Sequence, residues 1–130
     1  MTEPSVEEAI RARFRATPTT PYTLSQHKPF VLQQIDGNGI VLLLGKQMNW
    51  TALDWNCLEG IVPFLRKRTG WVLADGTYVA TGDIDTLDEH LKDCTSTQTS
   101  RWVTVVLAEA GVVRVDKGPP LRLRLADRFQ

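Results

Sequence analysis

The acidic side chains Asp83, Asp85 and Asp88 are close enough in sequence to suggest a hard divalent cation such as magnesium, which takes several oxygen ligands. The set lacks the glycine and closing glutamate of a calcium loop. A simpler reading has Asp85 and Thr86 as candidates to cap a following helix, with Asp88 in its first turn where the helix dipole favours an anion. His27 and His90 stand alone, and no serine or cysteine has the spacing of an activated nucleophile. Cys57 and Cys94 lie far apart, without a Cys-x-x-Cys or paired-histidine pattern. They are expected as reduced thiols, with a disulfide as the lesser alternative. Gly37-x-Gly39 joins two strands and opens no helix, so it is a turn and not a phosphate loop. No catalytic residue, metal ligand or cofactor is expected from these patterns.

What remains is basic and amide chemistry, and its value depends on charge distribution. Lysine plus arginine equals aspartate plus glutamate, 15 each. This neutrality weighs against nucleic acid, whose binders usually carry a basic surplus. The distribution is uneven. Residues 71–100 carry Asp75, Asp83, Asp85, Asp88, Glu89 and Asp93 against Lys92, whereas residues 101–130 carry Arg101, Arg114, Lys117, Arg122, Arg124 and Arg128 against Glu109, Asp116 and Asp127. The densest positive run is Arg66-Lys67-Arg68. With 130 residues, 42% of them hydrophobic, the chain can bury one ordinary core. It shows no bilayer-length apolar run and no secretion signal, so a cytoplasmic protein without a membrane partner is expected.

The elements that position these side chains follow from periodicity. Ser5-Val6-Glu7-Glu8 fits a capping box, and Val6, Ile10 and Phe14 place an amphipathic helix over residues 6–16. Arg11, Arg13 and Arg15 then read as a solvated face. Residues 17–21 form a proline-rich linker, so that residues 1–21 make an arm that is mobile or mediates dimerisation. Residues 30–35 and 40–45 flank Asp36-Gly37-Asn38-Gly39 as a hairpin, and the unbroken apolar run from Ile40 to Leu44 requires cover on both faces. Trp50 and Trp55 suit a stacking cage or, as the favoured reading, the core. Residues 22–54 are thus a β-hairpin module. A helix spans 55–69, kinked or restarted at Pro63. Residues 71–74 and 77–80 surround Asp75-Gly76 as a second hairpin.

Helices at 86–93 and 97–110 follow, the second stopping at Gly111. Val113 and Val115 alternate with Arg114 and Asp116, and Leu121, Leu123 and Leu125 with Arg122 and Arg124, around a turn that contains Gly118-Pro119-Pro120. A helix ending Leu107-Ala108-Glu109-Ala110-Gly111-Val112-Val113 and leading straight into such a hairpin resembles the winged helix-turn-helix domains of bacterial regulators. The resemblance implies an α+β chain in which an N-terminal helix and β-hairpin module pack on a winged helix over residues 55–130, with the wing at 112–125. It also implies that strand 77–80 pairs with the wing, while the extra strand at Trp71 departs from the pattern.

On that frame the expected function is non-enzymatic binding of double-stranded DNA by a regulator or accessory subunit. Thr97, Gln98, Thr99, Ser100, Arg101 and Thr104 belong to the recognition helix, where glutamine and arginine suit base edges and hydroxyls suit phosphates. Arg114, Lys117, Arg122 and Arg124 belong to the wing, and Arg66, Lys67 and Arg68 supply backbone contacts. The alternative, favoured by neutral charge, is a protein-interaction adaptor or immunity-type protein on the same scaffold, with a second copy or another protein as partner.

Overall fold

Asp36 organises the first half of the protein. In the computed structural model, which describes residues 5–22, 29–68, 70–74, 86–92, 94–95, 99–117 and 121–130, its Oδ1 accepts the backbone N–H groups of Asn38 at 2.8 Å and Gly39 at 3.2 Å. These bonds, with the Asn38 N–H first and the Gln34 amide next, hold the Asp36 carboxyl below its ordinary value of 3.8. The turn joins β1 (Val31–Ile35) to β2 (Gly39–Leu44), pairing Ile35 with Ile40. Gly39 has φ +154°, and a Cβ there would collide with the Leu53 carbonyl. The turn also docks on the following helix: Trp55 donates Nε1–H to the Asp36 carbonyl at 2.8 Å.

A third strand, β3 (Asn49–Asp54), pairs antiparallel with β2 from Gly39–Asp54 to Leu44–Asn49. The sheet order is therefore β1-β2-β3, and β2, apolar without alternation, is its central strand. The core expectation holds for Trp55, which is buried, and fails for Trp50, which is 63% exposed on β3. Residues 17–21, expected as a linker, are tied to the outer edge of β1: Thr19 and Leu32 exchange backbone hydrogen bonds of 3.0 and 2.8 Å. An edge strand with unpaired amides recruits any chain that can satisfy them.

β3 runs without a linker into α2 (Trp55–Arg66), capped by Asp54, whose carboxylate accepts from Cys57 N–H at 2.7 Å. The helix runs through Pro63, which lies on its exposed side where the carbonyl deprived of a donor is within reach of water. α1 (Val6–Arg13) is shorter than the sequence suggests and packs on α2 and on the later helix α4. Besides the Ser5 cap, the Glu59 carboxylate of α2 accepts from the N–H groups of Val6 and Glu7. The α1 arginines are held locally, Arg11 by Glu7 at 2.8 Å and Arg13 by Glu109 at 3.5 Å.

The second half contributes β4 (Val72–Leu73), α3 (Leu87–Leu91), α4 (Ser100–Glu109), β5 (Val113–Asp116), β6 (Arg122–Leu125) and a 3-10 turn (Asp127–Phe129). Thr86 caps α3 by accepting from Glu89 N–H. α4 ends in a Schellman motif: Val112 N–H bonds the Leu107 carbonyl at 2.9 Å, Gly111 N–H bonds that of Ala108 at 3.1 Å, and Gly111 takes φ +78°. The sheet order is β4-β6-β5. Val72 pairs with Leu123 and Leu73 with Arg122, so the strand beginning beside Trp71 lies against β6. The expected strand 77–80 falls outside the described residues, as do Asp83 and Asp85.

The chain is thus mixed helix and sheet, with two small antiparallel sheets. One buried cluster runs from Val6 and Ile10 through Leu42, Leu58 and Ile61 to Val106, Leu123 and Phe129, uniting both halves. The expectation of reduced thiols is corrected: Cys57 and Cys94 form a disulfide between α2 and the turn after α3, brought together by packing that no local spacing announces. Among the described residues no helix is long and apolar enough to cross a membrane.

Candidate nucleic-acid interface

The alternation along β5 and β6 separates two faces. Val113, Leu123 and Leu125 are buried against the core, which turns Arg114, Asp116, Arg122 and Arg124 outward. Register then places Arg114 directly opposite Arg124, and Asp116 opposite Arg122. Opposed like charges disfavour a sheet, and the nearby acids offset this only weakly: Arg114 reaches Asp127 at 3.9 Å and Arg122 reaches Asp116 at 3.8 Å, both exposed and at the limit of ion pairing. An outward arginine pair of this kind is a suitable seat for an external polyanion.

Trp71 extends this face. It precedes β4, is 45% exposed, and its ring lies 5.7 Å from the Arg124 guanidinium. Cation–π contact holds the arginine extended while the ring stays accessible for stacking. Trp71 was not among the sequence candidates; its place one residue before a strand that neighbours β6 is visible only once the sheet order is known.

The same arginine lines a second feature. Arg66, Arg68 and Gly70 at the end of α2 meet Arg124, Leu125 and Gln130 around an open cleft of about 320 Å³. Arg66 donates to the Phe129 carbonyl at 2.9 Å, and Arg68 donates to the Phe64 carbonyl while stacking 3.7 Å from the Phe64 ring. A guanidinium has five N–H donors, so one carbonyl orients Arg66 without exhausting it. Sequence positions 66 and 124 are remote, yet folding puts them on one rim. Lys67 and Lys117 are exposed.

The recognition-helix expectation requires correction. Thr99, Ser100 and Thr104 are fully buried. Thr104 donates its hydroxyl to the Ser100 carbonyl at 2.7 Å, whereas the Thr99 and Ser100 hydroxyls have no hydrogen-bond partner among the described residues. None of the three can meet a phosphate in this conformation. The physical reason is that α4 is packed by α1, α3 and β5 together, which bury more of it than a single apolar stripe would. Arg101 and Trp102 remain partly exposed, and Thr97 and Gln98 lie outside the described residues. Comparisons with protein-family models, curated proteins and solved structures found no match for this chain.

Proposed function

We propose that this chain is a non-enzymatic, cytoplasmic DNA-binding protein of winged-helix type that grips duplex DNA mainly through its wing sheet and the end of α2. The element order α2, β4, α3, α4, β5, β6 supports the winged-helix reading, as does the placement of β4 beside β6. The observation that carries the DNA reading is the convergence of Arg66, Arg68 and Arg124 on one cleft beside the outward Arg114–Arg124 pair. Arginine forks match phosphate geometry, and Trp71 adds an accessible aromatic face at the same edge. The protein as a whole is neutral, but charge concentrated on one side is what a polyanion meets.

A protein-interaction module is the second reading. It is favoured by the burial of Thr99, Ser100 and Thr104 and by exposed Met48 and Trp50 on the other half of the molecule. Fluorescence anisotropy with a random-sequence duplex separates the two. The DNA reading expects binding at low salt that weakens as salt rises, with Arg124→Ala costing more affinity than Arg101→Ala. Folded protein that binds no duplex even at low salt supports the protein-partner reading instead.

A further inference from the structure

His90 lies against one face of α2. A Cβ on Gly60 would come within 3.2 Å of the His90 ring, and the ring centroid of Phe64 is 5.2 Å from that of His90. Cys57 belongs to the same helical face, one turn before Gly60. From the other side, Cys94 follows His90 by four residues, and its sulfur is disulfide-bonded to Cys57. The three possible ligand atoms of Cys57, His90 and Cys94 consequently lie within 4.8 Å of one another. Tetrahedral zinc with thiolate and imidazole ligands needs separations of about 3.5–3.8 Å, so once the bond is reduced the two sulfurs must part to that spacing, with the imidazole nitrogen already no more than 4.8 Å from them.

Three further features fit a site of this kind. Imidazole Nε2 of His90 is 3.2 Å from the Cys57 carbonyl, the sort of backbone partner that fixes tautomer and ring orientation, and when Nε2–H donates there Nδ1 is the nitrogen left for a metal. Gly60 leaves the space in which that ring lies. Cys57 is buried while His90 and Cys94 are half-buried, and Cys94 lines a cleft of about 310 Å³ that also contains Asp36 and Asp54, so solvent, ions and reductants come up to this residue.

We infer that Cys57, His90 and Cys94 form a zinc site in the reduced protein and a disulfide in the oxidised one. A dithiol reductant supplies two electrons and two protons, the Cys57–Cys94 bond breaks, and the reductant leaves as its own disulfide. Zinc(II) then displaces the two thiol protons and takes two thiolates and one neutral imidazole nitrogen, with water completing four-coordination. A small-molecule disulfide reverses the sequence: it takes two electrons from the two thiolates, the Cys57–Cys94 bond re-forms, the oxidant leaves as two thiols after taking up two protons, and the metal is released. This site is independent of the arginine surface.

The test uses the full chain, oxidised and reduced, titrated anaerobically with cobalt(II) and then zinc(II). The reduced protein is expected to bind one equivalent of cobalt with the absorption of a tetrahedral thiolate site, bleached by zinc, and the oxidised protein none. His90→Gln, which keeps both cysteines, should retain its circular dichroism and lose metal affinity by about 100-fold or more, beyond the roughly 10- to 100-fold typical of merely orienting partners. Equal binding by the oxidised protein, unchanged affinity in His90→Gln, or a reduced protein that zinc neither binds nor refolds each overturns the inference.

Discussion

In the β1-β2-β3 sheet the central strand is apolar from Ile40 to Leu44, with Ile40, Leu42 and Leu44 buried on one face and Val41 and the half-buried Leu43 on the other, whereas the central strand of the β4-β6-β5 sheet alternates Arg122 and Arg124 with Leu123 and Leu125. Both sheets have three antiparallel strands and both pack on the shared core. The difference lies in what fills the outer face: the second sheet lines it with charge and an aromatic ring, whereas the first lines it with apolar side chains, Val41 and Leu43 of β2 beside the exposed Trp50 of β3. A binding surface is therefore sought on the second sheet and the main stability of the first half on β2.

Substitutions should expose that division. Leu42→Ala removes a fully buried side chain from the middle of β2 and should cost about 2–5 kcal/mol in denaturant unfolding; a loss below about 1 kcal/mol would mean that the first sheet is loosely packed. Gly39→Ala forces a side chain toward the Leu53 carbonyl at an unfavourable φ and should cost about 1–3 kcal/mol by the same measurement. Asp36 sharpens the contrast through pH. Its folded carboxyl titrates below the ordinary 3.8, so its stabilisation is present above that value and lost as pH falls through the folded one. Thermal melts of Asp36→Asn should therefore lose less stability on acidification than wild type. Arg124→Ala, on the second sheet's outer face, should change unfolding free energy by no more than about 1 kcal/mol, because the packing it loses beside Trp71 is offset by relief of an opposed charge.

The legible parts of the sequence were those set by local chemistry. Asp36 to Gly39 announced a turn, Ser5 and Thr86 announced helix starts, Gly111 announced a stop, and the Val113–Val115 and Leu121–Leu125 alternation announced which side chains of β5 and β6 face out. What escaped was decided by packing. The segment from Asn49 to Asp54 forms β3 because β2 needs a second partner, which left Trp50 outside. Thr99, Ser100 and Thr104 read as a polar surface until α1, α3 and β5 are seen to pack around their helix. Cys57 and Cys94 meet only because α3 packs on α2. The arginine cleft was legible as its two parts, Arg66 to Arg68 and Arg122 to Arg124, but not as one place.

The most direct test of the arginine surface is the salt dependence of duplex affinity for wild type and for the Arg66, Arg68, Arg124 triple alanine variant. Each phosphate contact contributes a slope of about −0.9 in log affinity against log salt. The surface proposed here predicts a wild-type slope that becomes shallower by about 2–3 in the variant, with the variant still folded. An unchanged slope, or no binding by wild type at low salt, would contradict it.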